Sequence, residues 1–149
     1  MAIDIEAEAL INAPPDRVFA YAIDPANETE WIGGLQEATP LTDGPVRVGT
    51  QVARVAKFMG RRVEYVNEVT ELEPGHVLAM RSVKAPFPMS ITYRFEAVDG
   101  RTRMRNRVSG GPSGLMGPLS PLMAMGVKRN VTKDLQRLKA ILEQDGGRL

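Results

Sequence analysis

Cysteine is absent from the 149-residue chain, which excludes disulfides, thiolate nucleophiles and cysteine-ligated metal. Histidine occurs once, as His76 directly after Pro74-Gly75. A lone histidine in a turn cannot assemble a zinc site of the usual ligand sets, and a Ser-His-Asp triad would rest on it without any supporting motif. No metal and no cofactor is expected. Excess charge is missing too: the net value is +1, so nothing global argues for nucleic acid or an anionic membrane. No run of about 18 apolar residues occurs, so no integral membrane association is expected. The first residues alternate acids with apolar side chains where a signal peptide needs an apolar core, and a cytoplasmic location is the expectation. The stretch Gly110–Gly117 has neither G-x-G-x-x-G spacing nor a Gly-Lys-Ser/Thr ending, so a phosphate cradle is unsupported.

What is present is an ordinary globular composition, 43% hydrophobic and 25% charged, at a length that suits one domain over residues 1–149. Ile3, Ile5, Ala7 and Ala9 alternate with Asp4, Glu6 and Glu8, the period-two pattern of a half-buried strand. Pro14-Pro15 stops that strand and preorganises a helix with Val18, Phe19, Ala22 and Ile23 on one side. Asp24-Pro25 restarts a second short helix that ends near Gly33-Gly34. Turn signals then recur at Asp43-Gly44-Pro45, Gly60, Pro74-Gly75, Pro86-Phe87-Pro88 and Asp99-Gly100, the punctuation of an antiparallel meander. Ser120-Pro121 opens a last helix running to about Gln144, striped by Val127, Val131, Leu135, Leu138 and Leu142. The order is β-α-α-β6-α, an α+β architecture in which the long helix lies on the apolar face of about seven strands. A sheet of that extent curls around the helix, and the gap between them becomes a cavity.

The opening strand, the Ala13-Pro-Pro-Asp-Arg-Val-Phe19 segment, Asp24-Pro25-Ala-Asn27 followed by Trp31, Val69-Thr-Glu-Leu-Glu-Pro74 and the terminal helix together resemble the START-related, Bet v 1-like superfamily. Within it the chain is most similar to bacterial polyketide cyclase/dehydrase-like proteins. The resemblance spans nearly the whole chain in element order. It implies a helix-grip fold, a curved antiparallel sheet wrapped around the C-terminal helix, enclosing a hydrophobic ligand pocket. It implies no single reaction, since such folds host carriers and enzymes alike.

Hairpin turns assign the faces. A two-residue turn at Asp99-Gly100 pairs Phe95 with Met104, Tyr93 with Asn106 and Ile91 with Val108 inside, and leaves Arg101, Arg103, Arg105 and Arg107 on a solvated outer side. The same treatment of Pro74-Gly75 pairs Val69 with Met80 and Asn67 with Ser82 inside, Glu68 with Arg81 outside. A turn at Gly60-Arg61 pairs Phe58 with Val63, Ala56 with Tyr65 and Lys57 with Glu64, and places Arg54 inward opposite Asn67. A three-residue loop there would reverse that strand and put Arg54 outside, its stem merely covering neighbours. The expected ligand-binding wall is therefore Arg54, Phe58, Tyr65, Asn67, Val69 and Met80, continued by Ser82, Ile91, Tyr93, Phe95, Met104 and Asn106. Met123, Val127 and Val131 complete it from the helix.

An enclosed apolar wall with a few convergent polar groups suits a small hydrophobic ligand, lipid-like or polyketide-like. Tyr93, Asn106 and Asn67 alternatively satisfy one another in a filled core, and the methionines alternatively fill gaps. Trp31 either caps the mouth or anchors the second helix. An inward Arg54 would seek a carboxylate, amide or ligand oxygen, with Asn67 and Glu71 the nearest partners in sequence terms, and would orient an acidic or carbonyl-bearing ligand. The leading expectation is a binding or transport protein. A cyclase/dehydratase-type enzyme would instead use Arg54, Tyr65, Asn67, Tyr93 and Asn106 as oriented donors around a developing enolate. An interaction module would need an exposed apolar patch, for which Leu115, Met116 and Leu119 are the candidates.

Overall fold

The computed structural model describes residues 3–58, 60–110 and 120–146. Strand β1 (Ile3–Ile11) buries Ile3, Ile5, Ala7, Ala9 and Ile11 and exposes Asp4, Glu6 and Glu8 between them. Pro15 occupies the first turn of α1 (Pro15–Ile23), which buries Val18, Phe19 and Ala22. The Asp24 side chain accepts a hydrogen bond from the Ala26 amide at 3.0 Å. It thereby caps a 3-10 turn over Pro25–Asn27 that runs on into α2 (Glu28–Trp31). Six strands follow: β2 (Leu35–Pro40), β3 (Gln51–Phe58), β4 (Arg61–Glu73), β5 (Val77–Lys84), β6 (Met89–Val98) and β7 (Arg101–Gly110). The chain then enters α3 (Ser120–Gly146).

The seven strands form one antiparallel sheet in the order β1-β7-β6-β5-β4-β3-β2. The first two strands thus lie at opposite edges, and α1 and α2 carry the chain between them. Helix α3 packs chiefly on β1, burying Val131, Leu135, Leu138 and Leu142. The small side chains of Ala7 and Ala9 on the facing strand allow close approach. Polar contacts hold the far end of the helix: Lys139 donates to the Leu10 carbonyl at 2.9 Å, the Asn12 amide to Glu143 at 2.9 Å, and Arg17 to the Leu142 carbonyl at 3.0 Å. This is the helix-grip fold, with a seven-stranded curled sheet holding the long helix.

Registers decide what points inward, and the three hairpins behave differently. At Asp99-Gly100 both residues have positive φ, and the expected pairs Phe95–Met104, Tyr93–Asn106 and Ile91–Val108 are all present. At β4–β5 the expected pairs Val69–Met80, Asn67–Ser82 and Glu68–Arg81 also form, but by a different route. The turn holds three residues, with Glu73 opposite Val77, and a bulge at Thr70 absorbs the extra one. At β3–β4 the expectation is corrected by two residues. Phe58 pairs with Arg61, Lys57 with Arg62, Ala56 with Val63 and Arg54 with Tyr65, while Asn67 faces Val52. Gly60, at φ +79°, takes the second place of the turn rather than the first, so neither Lys57–Glu64 nor Arg54–Asn67 is a cross-strand pair. A two-residue slip preserves parity, and Arg54 still points inward.

Candidate functional site

A cavity of about 110 Å³ lies between the concave face of the sheet, α2 and α3. From β3 and β4 it receives Arg54, Tyr65 and Asn67; from β5 and β6, Met80, Ile91 and Tyr93. Asn106 and Val108 of β7 continue the wall, and α3 contributes Val131 and Asp134. Glu28 and Trp31 come from α2, and Ile32 follows it. Ile32, Tyr65 and Ile91 are partly exposed and form its rim.

Of the side chains the sequence places on the wall, Arg54, Tyr65, Asn67, Met80, Ile91, Tyr93, Asn106 and Val131 meet at this cavity. Val69, Phe95 and Met104 do not. They are packed in the core beside it, where the Phe95 ring meets Phe19 edge-on at 5.2 Å. Ser82 points to its own hairpin and accepts from the Met89 amide at 2.9 Å. Val127 is half-buried near the start of the helix stripe and does not reach the cavity. The side chains of Phe58 and Met123, and all of Leu115, Met116 and Leu119, lie outside the described residues.

Arg54 finds a carboxylate, but neither Asn67 nor Glu71 is its partner. Its Nη2 donates to both oxygens of Glu28, at 2.8 and 3.1 Å, and both side chains are almost wholly buried. Burial pushes the Glu28 carboxyl up from its ordinary value, with the neighbouring guanidinium opposing that shift. Removing one member of such a pair strands the other charge in the interior, typically at a cost of about 3–5 kcal/mol. Glu28 has a sequence signal after all: at i, i+3 and i+4, Glu28, Trp31 and Ile32 fall on one helical face.

Asp134 is the second unforeseen carboxylate, and its signal is its position between Val131 and Leu138 within the apolar stripe. Its Oδ1 accepts from the Gly33 amide at 2.8 Å, while Arg137 beside it donates to the Trp31 carbonyl at 3.0 Å. These two contacts tie α3 to the end of α2. Burial raises the Asp134 carboxyl to about 6, with the Gly33 hydrogen bond and Arg137 partly offsetting it. Burial likewise lifts the Tyr65 and Tyr93 phenols, so both stay protonated donors at neutral pH.

Three buried polar atoms at this cavity have no hydrogen-bond partner among the described residues: Trp31 Nε1, Arg54 Nη1 and Asn106 Oδ1. Each unsatisfied group of this kind costs about 1–3 kcal/mol. Trp31 is fully buried with its ring edge-on to Tyr93 at 5.9 Å, so it anchors α2 and lines the cavity at once. A wider depression of about 220 Å³ opens on the convex face around His76, Arg94, Glu96, Arg103 and Arg105. It is a solvated charged surface, with Glu96 shared between Arg103 and Arg105, and strands no buried polar atom among the described residues. Among those residues no group of acidic or histidine side chains is placed to hold a metal ion.

A family model described as polyketide cyclase/dehydrase and lipid transport matches residues 2–143. An uncharacterized protein of Mycobacterium tuberculosis is 32% identical over 137 residues, covering 89% of this chain and 94% of its own. Among solved structures, a protein of Thermus thermophilus superposes with a TM-score of 0.81 at 22% identity, over 92% of this chain and 94% of that one. The Zhui aromatase/cyclase from a Streptomyces species also reaches 0.81, at 19% identity, over 97% and 95% of the two chains. At such identities these two structures share the fold.

Proposed function

The chain belongs to the polyketide cyclase/dehydrase and lipid transport family, and from that premise we propose that it binds a small hydrophobic molecule in the cavity between the concave sheet and α3. The observation that carries this reading is the trio of unpartnered buried atoms, Trp31 Nε1, Arg54 Nη1 and Asn106 Oδ1. A core evolved only to be filled would pair such atoms or replace them, since a buried unsatisfied group is costly. Apolar walls from Met80, Ile91, Val108 and Val131 supply affinity, and the three polar atoms supply orientation. The test is native mass spectrometry of gently purified protein, followed by titration with an apolar fluorescent probe. The expected result is a co-purifying small molecule, or probe binding that Met80→Ala alters while the fold persists. Absence of both a retained molecule and probe binding would overturn the reading.

A second reading, catalysis of cyclisation or water loss, is favoured by one specific observation. Asp134, held near pKa 6, stands on the same cavity as Arg54, Tyr65 and Tyr93. A carboxyl titrating near neutrality can exchange a proton with a bound carbonyl compound, and the guanidinium and phenols can steady the enolate that forms. A carrier needs none of this, so turnover of a bound ligand that is lost in Asp134→Asn separates the two.

A further inference from the structure

The charge and size of the same cavity narrow its ligand further, an inference that rests on the cavity being a ligand site. We propose that the occupant is a compact, electrically neutral molecule of about one ring, carrying a carbonyl-type acceptor and a hydroxyl or N–H donor, and that the site rejects its carboxylate counterpart.

Size comes first. A dry cavity of about 150 Å³ is enough to hold benzene, whereas drug-sized sites span about 300–1,000 Å³. At about 110 Å³ the space lies below that benzene-holding benchmark, so it takes no more than about one ring, with any substituent emerging past the rim. It does not extend inward, because Val69, Phe95 and Met104 close the neighbouring core.

The hydrogen-bond pattern comes next. Arg54 Nη1 and Trp31 Nε1 are unpartnered donors on lining residues, buried just behind the cavity surface, so a ligand that parts the wall onto them must present acceptor oxygen. Asn106 Oδ1 is an unpartnered acceptor, so the ligand must also present a donor.

Charge decides between a carbonyl and a carboxylate. An isolated arginine in an apolar pocket would select an acid. Arg54, however, is already bound by both oxygens of Glu28, and its free Nη1 offers a hydrogen bond without uncompensated charge. Asp134 adds a second carboxylate to the same wall. The lining therefore holds one cation and two acids, with Arg137 behind the wall 3.5 Å from the second acid, so each cation at the site is already matched and an anionic ligand would enter a desolvated space with no free positive partner.

Two probes of the same frame test this: 3-hydroxybenzamide, neutral at about pH 7.5, and 3-hydroxybenzoate, anionic there. Isothermal titration of the intact protein is expected to show the amide bound at least about tenfold more tightly than the acid. Asn106→Leu is expected to weaken the amide, and Glu28→Gln, which leaves Arg54 uncompensated, to narrow or reverse the preference. Should Glu28→Gln fail to fold, the wild-type ratio and Asn106→Leu still decide. Equal or tighter binding of the acid by the wild-type protein would overturn the neutral-ligand inference while leaving a ligand site intact. Binding of a long apolar probe but of neither ring compound would overturn the size class alone. Failure of every probe would remove the ligand site itself.

Discussion

A single carboxyl shows how burial at the cavity translates into pH dependence. Asp134 carries an ordinary carboxyl value of 3.8 when unfolded and about 6 in the folded chain. Between those values the folded protein binds the proton and the unfolded chain has released it. Stability therefore falls as pH rises from about 4 to about 6, and the loss stays in full above that. Asp134→Asn keeps an oxygen to accept from the Gly33 amide and removes the buried charge. The variant is expected to melt at higher temperature than the parent near pH ~7.5, with the difference closing toward pH ~4. A gain that is constant across the range would mean the carboxyl is not desolvated. Glu28 and Arg54 make the complementary point: two buried charges persist because each is the other's solvent, and the leftover Nη1 is what the cavity can use.

Elements meet at this site through glycine. The junction of α2 and β2 passes through Gly33-Gly34, where Gly34 has φ +82° and its carbonyl accepts from the Lys57 amide at 2.8 Å. A Cβ on Gly34 would stand 2.7 Å from the Lys57 carbonyl oxygen, whereas one on Gly100, at φ +79°, would meet nothing within 4 Å. Both substitutions to alanine incur the left-handed backbone cost of roughly 1–2 kcal/mol. Gly34→Ala is expected to lose clearly more, because backbone must also move at the cavity's edge. Urea denaturation of the two variants side by side checks this, and equal losses would show that the junction yields freely. The hairpins teach a related lesson about turns. Asp99-Gly100 has the residues of a two-residue turn at both central positions and admits one register. Gly60 can stand in either central position of its turn, and the strand pairing, not the glycine, chooses.

For the whole molecule, the topology places β2 at an edge, paired only with β3 and largely exposed, while β7 lies between β1 and β6 beneath the main core. Opening free energies should follow that layout. Hydrogen exchange read by mass spectrometry is expected to label β2 well before β6 and β7; equal protection would point to a sheet that opens only as a unit. Local rules read from the chain alone already determined the element order, the curled sheet and gripping helix, the inward face of every strand from β4 to β7, and the inward parity of Arg54. Each of those follows from alternation, helical spacing or a turn residue acting on its neighbours. Even the β4–β5 pairing came out right, because a longer turn and the Thr70 bulge cancel. Which carboxylate meets Arg54, which wall residues reach the cavity rather than the core, and how little space remains between them were decided only by tertiary structure. Glu28 lies 26 positions from Arg54 on a separate element, and Asp134 reaches Gly33 across 101 positions. Only packing can bring such partners together, and no periodicity within one element records it.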